Sequence, residues 1–327
     1  MLLLSRRDLE GLVGMAEALE VVEEAFRLHG LGEIATPRRV VLNPKDGRGW
    51  FAAMPAYAEA WRALAVKAVA SYPENPSRGL PTISALTLYV DGETGVPLAL
   101  LEAGYLTGLR TGAAGGIAAK YLARHESRVV GMLGSGEQAW WQLEALALTL
   151  PSLGEVRVYS PTQSHREAFA GKACQAFGFT VKPVDSPRRA VEGCDIVVAA
   201  TSASKPVVLG EWLEEGCHVT SVGAHHPDRR EVDSGVVARA KVVVDSREAC
   251  LAEAGDLLIP LREGTITSKH IYAELGEIVA GIKPGRVSQD EVTFFKSVGL
   301  ALQDLALAKL AYEKALKKGV GLEFYPT

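Results

Sequence analysis

Short apolar blocks mark the middle of the chain, at residues 128–133, 155–160, 180–184, 195–201, 217–223 and 241–246. Several are almost wholly apolar, as strands covered on both faces of a parallel sheet must be. The segments between them have helical spacing, so the pattern predicts a doubly wound α/β domain with helical crossovers.

Upstream the pattern changes. Residues 8–31 follow a helical period, whereas 38–103 read as strands and turns broken at Asn43-Pro44, Asp46-Gly47, Arg78-Gly79 and Asp91-Gly92, which predicts an antiparallel or mixed sheet flanked by helices. Near the other end, Ser288-Gln-Asp-Glu291 has capping-box spacing. Phe295, Val298, Leu302, Leu305, Tyr312 and Leu316 follow at three- and four-residue intervals, interrupted by Lys309. That stripe predicts a long C-terminal helix opening near 288 and returning to the first domain. The expected architecture is a doubly wound domain over 121–288, inserted in a discontinuous α+β domain formed by 1–120 and 289–327.

The totals narrow the function. A net charge of −4 over 327 residues gives no basic field for nucleic acid. The longest apolar runs fall short of a membrane span, and the N-terminal leucines precede their charges, the wrong order for a signal peptide. Cys174, Cys194, Cys217 and Cys250 form no metal or redox pair and read as buried hydrophobes in a reducing compartment. The expectation is a cytoplasmic protein with no metal, nucleic-acid or membrane partner.

Val129-Val-Gly-Met-Leu-Gly134-Ser-Gly136-Glu-Gln-Ala139 gives that domain its chemistry. A β-branched run breaks into G-x-G-x-x-A and a helix follows, as in the Rossmann dinucleotide-binding unit. Gly134 permits the turn, Gly136 lets backbone N–H groups approach a pyrophosphate, and Ala139 allows close packing, with Glu137 and Gln138 opening the helix. At the end of the second predicted strand an acid would mark NAD; here stand Ser160, Thr162 and Arg166. Hydroxyls and a guanidinium suit a 2′-phosphate, so NADP is favoured over NAD.

Cations stand out in the first domain: Arg38, Arg39, Lys67 and Arg110. Lys67 interrupts the apolar run 63–70, either as a buried lysine with a partner or as one snorkelling from an edge strand. Arg110 and Thr111 precede a small-residue helix leading into the nucleotide domain.

Taken in order, Met54-Pro-Ala-Tyr57, Arg78-Gly-Leu-Pro-Thr82, Asp91-Gly-Glu-Thr-Gly95, Gly108-Leu-Arg-Thr-Gly-Ala-Ala114, the glycine turn, Gly210-Glu-Trp212, Val222-Gly-Ala224, Val244-Asp-Ser246 and Glu274-Leu-Gly-Glu277 resemble the ornithine cyclodeaminase/mu-crystallin family over nearly the whole chain. The resemblance implies a homodimer whose discontinuous α+β domain serves dimerisation and substrate binding. It implies that Arg38, Lys67 and Arg110 bind a substrate carboxylate, that Met54 and Thr82 line the pocket, and that Thr111, Thr201, Val222 and Gly223 lie near the cofactor.

One departure bears on the activity. Cyclodeaminases have an aspartate in a segment similar to V-G-G-D-x-P-G-K, where this chain has Val222-Gly-Ala-His225-His226-Pro227-Asp228-Arg229. His225 cannot offer an ammonium group the same anionic partner, although it could donate a proton near neutral pH or simply occupy a surface loop. The resemblance therefore implies NAD(P)H-dependent reduction of a cyclic ketimine or an imino or keto acid to an amino acid, as in mu-crystallin-like ketimine reductases or amino-acid dehydrogenases. Ornithine cyclodeamination, with NAD used catalytically, and non-catalytic NADPH binding are the alternatives.

Overall fold

The computed structural model describes residues 1–325. The chain divides into two compact units: Met1–Arg110 together with the segment from Leu300, and Thr111–Gly299.

The first unit contains β1 (Leu2–Leu4), α1 (Arg6–Leu12), α2 (Met15–Gly30), β2 (Ile34–Ala35), β3 (Val40–Leu42), β4 (Trp50–Ala58), β5 (Ala63–Ser71), β6 (Ile83–Asp91) and β7 (Pro97–Glu102). The helical period read over 8–31 resolves into two helices, because Val13 and Gly14 are extended between them. A capping box from Ser5 and Asp8 opens the first. The sheet runs β16-β1-β7-β6-β5-β4-β2, with β3 also on β4 and β16 at Leu322–Glu323. Among the described residues only β1 and β7 of this sheet pair in parallel, which makes the sheet mixed as expected. Helix α3 (Gly104–Leu122) crosses the boundary between the units.

Along β5 the residues at 63, 65, 67 and 69 are buried while their neighbours are half-buried. The buried face carries α11 (Ala301–Lys318), which packs on β4, β5 and β6 and is backed by α2. The opposite face is apolar too. Register places Phe51 beside Ala70, Ala68 beside Leu86, and Val66 between Pro55 and Leu88; Phe51 and Leu86 remain 38% and 48% exposed.

The second unit alternates β8 (Val129–Leu133), α4 (Glu137–Thr149), β9 (Glu155–Tyr159), α5 (Gln163–Phe177), β10 (Thr180–Pro183), α6 (Pro187–Val191), β11 (Ile196–Ala199), β12 (His218–Ser221), α7 (Ser234–Arg239), β13 (Lys241–Val244), α8 (Arg247–Glu253), α9 (Gly255–Arg262), β14 (Ile271–Glu274), α10 (Leu275–Val279) and β15 (Thr293–Lys296). Its strands form one parallel sheet in the order β10-β9-β8-β11-β12-β15-β13-β14. The six predicted strands are all present, and β14 and β15 join them.

Strand β15 corrects the reading of the C-terminus. The helix does not open near 288: residues 293–296 form a strand buried at every position, wedged between β12 and β13. A strand covered on both faces is apolar without alternation, so Phe295 fitted a helical stripe by coincidence. Asp245, fully buried after β13, accepts from Ser297 Oγ at 2.8 Å and from the N–H groups of Val298 and Gly299 at 2.8 and 2.7 Å, fixing the exit toward α11.

Cys194, Cys217 and Cys250 are buried as expected, whereas Cys174 is exposed. Among the described residues no helix is long and apolar enough to cross a membrane.

Candidate functional site

The glycine turn folds as its spacing demands. Gly134 has φ +109°, and a Cβ there would come within 2.3 Å of the Ala200 carbonyl, so glycine is required by conformation and space alike. A Cβ on Gly136 would meet nothing within 4 Å, and this residue is the N-cap of α4, with no side chain capping the helix. The result is an open loop with backbone N–H groups at the positive end of a helix, the arrangement that accepts a pyrophosphate. Ala139 is fully buried behind it, Gln138 is half-buried, and Glu137 is exposed.

Beyond β9, Ser160 is buried and its hydroxyl accepts from Ser135 Oγ at 3.0 Å, which ties the second strand's end to the glycine turn. Arg166 donates from Nη1 to the carbonyl of Ser160 at 3.0 Å, while Thr162 forms the exposed N-cap of α5. These side chains occupy the position where an acid would hold an adenosine ribose, and they present hydroxyls and a cation. The chain's own groups thus fit a dinucleotide.

Thr201 and Gly223 follow β11 and β12, and both are gripped by Glu231, a residue the sequence pattern does not single out. The fully buried carboxylate accepts from Thr201 N and Oγ1 at 2.6 and 2.8 Å, and from Gly223 N and Ser221 Oγ at 2.7 and 2.8 Å. Behind it, Asp256 accepts from Glu231 N at 2.7 Å and pairs with Lys296 at 2.8 Å, both side chains wholly buried. Burial alone would lower the Lys296 pKa, but the carboxylates of Asp256 and Glu231 outweigh it and raise it. Val222 continues this loop, its N–H bonded to Ala199. The carbonyl of Thr111, itself buried, accepts from Gln142 Nε2 at 2.7 Å.

In the first unit, Lys67 is 1% exposed at the centre of β5, between β4 and β6. The snorkelling alternative is therefore overturned. Its partner is Asp304 on α11, whose Oδ1 accepts from Lys67 Nζ at 2.9 Å and lies 3.4 Å from Arg110 Nε. Arg110 also donates from Nη1 to Gln303 Oε1 at 2.9 Å. Burial pushes the Lys67 ammonium down to about 8; Asp304 opposes that shift, while Arg110 and Arg39 reinforce it. Met54 lies buried directly beside Lys67 on β4.

Two expected clamp and pocket residues, Arg38 and Thr82, are exposed. In the segment entering β3, Arg38 is exposed and Arg39 half-buried, and the charge of Arg39 adds a small part to the lowering of the Lys67 pKa. Thr82 is exposed in the turn before β6, its carbonyl bonded to Tyr72 N. His225 is also exposed, on the loop after β12. Nearby Asp228 is held by Arg262 at 2.9 Å, both largely exposed.

Comparison with known proteins places these features in a lineage. The chain is 44% identical to an alanine dehydrogenase of Archaeoglobus fulgidus over 322 residues, 98% of this chain and 97% of that protein. It is 41% identical to a Δ1-pyrroline-2-carboxylate reductase of Bacillus cereus over 98% of each. Among solved structures, the Thermococcus litoralis Δ1-pyrroline-2-carboxylate reductase in complex with NADH and L-proline matches with a TM-score of 0.96 and 47% identity, covering 99% of this chain and all of that one. With the family model matching residues 1–319, the chain belongs to the ornithine cyclodeaminase/mu-crystallin family.

Proposed function

We propose that this protein reduces a cyclic ketimine, or a related imino or keto acid, to an amino acid with NAD(P)H. The observation that carries the reading is Lys67, buried, paired with Asp304 and sharing that carboxylate with Arg110, with burial pushing its pKa down to about 8. A buried cation cluster of this kind costs stability unless an anion completes it, and an α-carboxylate is such an anion. In this reading Arg110 and Arg39, rather than the exposed Arg38, hold the carboxylate and orient the α-carbon, with Met54 against the substrate. Lys67 is largely protonated at neutral pH and supplies the proton that the imine nitrogen needs to become a hydride acceptor. Asp304 steadies Lys67 as its charge changes. With the dinucleotide's pyrophosphate held at the glycine turn, its nicotinamide would supply the hydride.

NADP is favoured over NAD on the chemistry of Ser160, Thr162 and Arg166, none of which is an acid. The unit carrying Lys67 is proposed as the substrate and dimerisation domain into which the Rossmann unit is inserted. A homodimer is supported by the uncharged sheet face around Phe51, Val66, Leu86 and Leu88, which suits a second copy. Leu86→Glu should halve the mass seen by light scattering.

The direct test offers NADH or NADPH with pyrroline-2-carboxylate, piperideine-2-carboxylate, and pyruvate plus ammonia. Oxidation of neither cofactor with any of them would overturn the reading. Release of ammonia from ornithine with no net change in NAD would establish the cyclodeaminase alternative.

A further inference from the structure

We propose that Glu231 is a positioning residue for the nicotinamide half of the dinucleotide. This rests on the reading that the second unit binds NAD(P)H.

The two halves of a doubly wound sheet divide the dinucleotide between them: the strands next to the glycine turn take the adenine side, and the strands beyond the switch point take the other mononucleotide. Here the switch lies between β8 and β11, so the loops after β11 and β12 belong to the nicotinamide side. Those loops touch backbone to backbone. A Cβ on Gly223 would come within 2.1 Å of the Thr201 carbonyl and 2.5 Å of Glu231 Oε1. Gly134 makes the same close approach to Ala200. The floor of the site is therefore a stack of main chain whose heights are set relative to one another.

Glu231 sets them. One carboxylate oxygen takes the Thr201 N–H and hydroxyl, and the other takes the Gly223 N–H and the hydroxyl of Ser221 at the end of β12, so the carboxylate bridges the loop after β11 to the end of β12 and the loop that follows it. The bridge is itself anchored, because the Glu231 and Val232 N–H groups donate to Asp256 Oδ1 at 2.7 and 3.0 Å, and Lys296 reaches both Asp256 and Ser221 Oγ. A wholly buried carboxylate spent on two loop backbones holds geometry at the place where the nicotinamide must sit.

Glu231→Gln keeps the shape but turns one acceptor oxygen into a donor facing an N–H. The expected result is an NADH or NADPH dissociation constant raised about 10- to 100-fold, with that for adenosine diphosphate ribose, which lacks the nicotinamide, moving less than about twofold. Loss of both affinities together would show a general structural role, and retention of both would show no role; either overturns the inference. If Glu231→Gln fails to fold, Ser221→Ala removes one of the four bonds to the Glu231 carboxylate together with that hydroxyl's links to Asp256 and Lys296, and should raise the dinucleotide constant alone, about two- to fivefold; an unchanged constant overturns the inference. Wild-type protein that binds neither dinucleotide would instead refute the cofactor reading beneath it.

Discussion

Asp304→Asn should move the basic limb of the pH–rate profile toward acid. Lys67 has two arginines and its own burial pulling its pKa down, and Asp304 is the anion that opposes them. At 2.9 Å and an effective dielectric of ~20, Coulomb's law gives about 6 kcal/mol for the pair. That corresponds to about four pKa units at ~1.36 kcal/mol each. Side-chain relaxation and entering water reduce such effects to about 1–3 units in measured cases, so Lys67 should titrate near 5 to 7 in the variant, against about 8 in the wild type. The assay is kcat/KM for imine reduction across pH 5 to 10, variant against wild type. Taking the difference removes the substrate's own titration. A limb that stays within about 0.3 units, or moves to higher pH, would refute the coupling.

The same pair makes a linked stability claim. Lysine stays protonated in the unfolded chain up to its ordinary pKa of 10.5, whereas folded Lys67 releases its proton near 8. Holding it charged and buried therefore costs stability below about pH 8, and the cost fades as pH rises toward 10.5. Asp304→Asn enlarges the cost only where wild-type Lys67 is protonated. Its melting deficit should grow below pH 8 and vanish above it, and a deficit independent of pH would mean that the carboxylate acts through packing alone.

Three further outcomes follow from the geometry. Gly134→Ala must place a methyl against the Ala200 carbonyl at positive φ and should lower stability by about 1–3 kcal/mol, whereas Gly136→Ala meets no protein atom, so it should melt like wild type yet bind dinucleotide more weakly; calorimetry with cofactor titration separates the two. Ser160→Asp should cut kcat/KM for NADPH at least tenfold relative to NADH if the loop reads a 2′-phosphate, and equal ratios before and after would refute that. His218 is fully buried between the Thr293 and Thr220 hydroxyls, and burial pushes it down to about 3 from 6.5, so the unfolded chain binds the extra proton and stability should fall as pH drops from 6.5 toward 3; His218→Gln should flatten that acid limb in thermal melts.

How far the sequence could be read depended on whether a residue's neighbours were local. The glycine turn is a local device, since Gly134, Gly136 and Ala139 act within a single strand, turn and helix, and it was legible in full. Lys67 was legible as an anomaly without its cause, because Asp304 lies 237 residues away. The clue to Asp304 was a charge inside the apolar stripe of α11, where Lys309 alone drew notice. The choice of Arg38 over Arg39 rested on the family resemblance, because residue pattern alone does not rank two adjacent arginines whose side chains alternate sides in extended chain. Glu231, Asp256 and Lys296 come from three separate segments and share no spacing, so the network they form was invisible. Strand β15 was missed for a different reason, since a run of four buried residues has no period to read.

That strand has a consequence for how the protein is made. It fills the gap between β12 and β13, yet it is synthesised some fifty residues after the second of them. On the ribosome, therefore, the sheet must wait half-built, with β12 and β13 each presenting an open parallel edge until Lys296 has emerged. Such edges recruit other chains. Expression at low translation load, or with a chaperone that shields extended segments, should raise the soluble yield, and nascent chains stalled before residue 293 should be the species that aggregate.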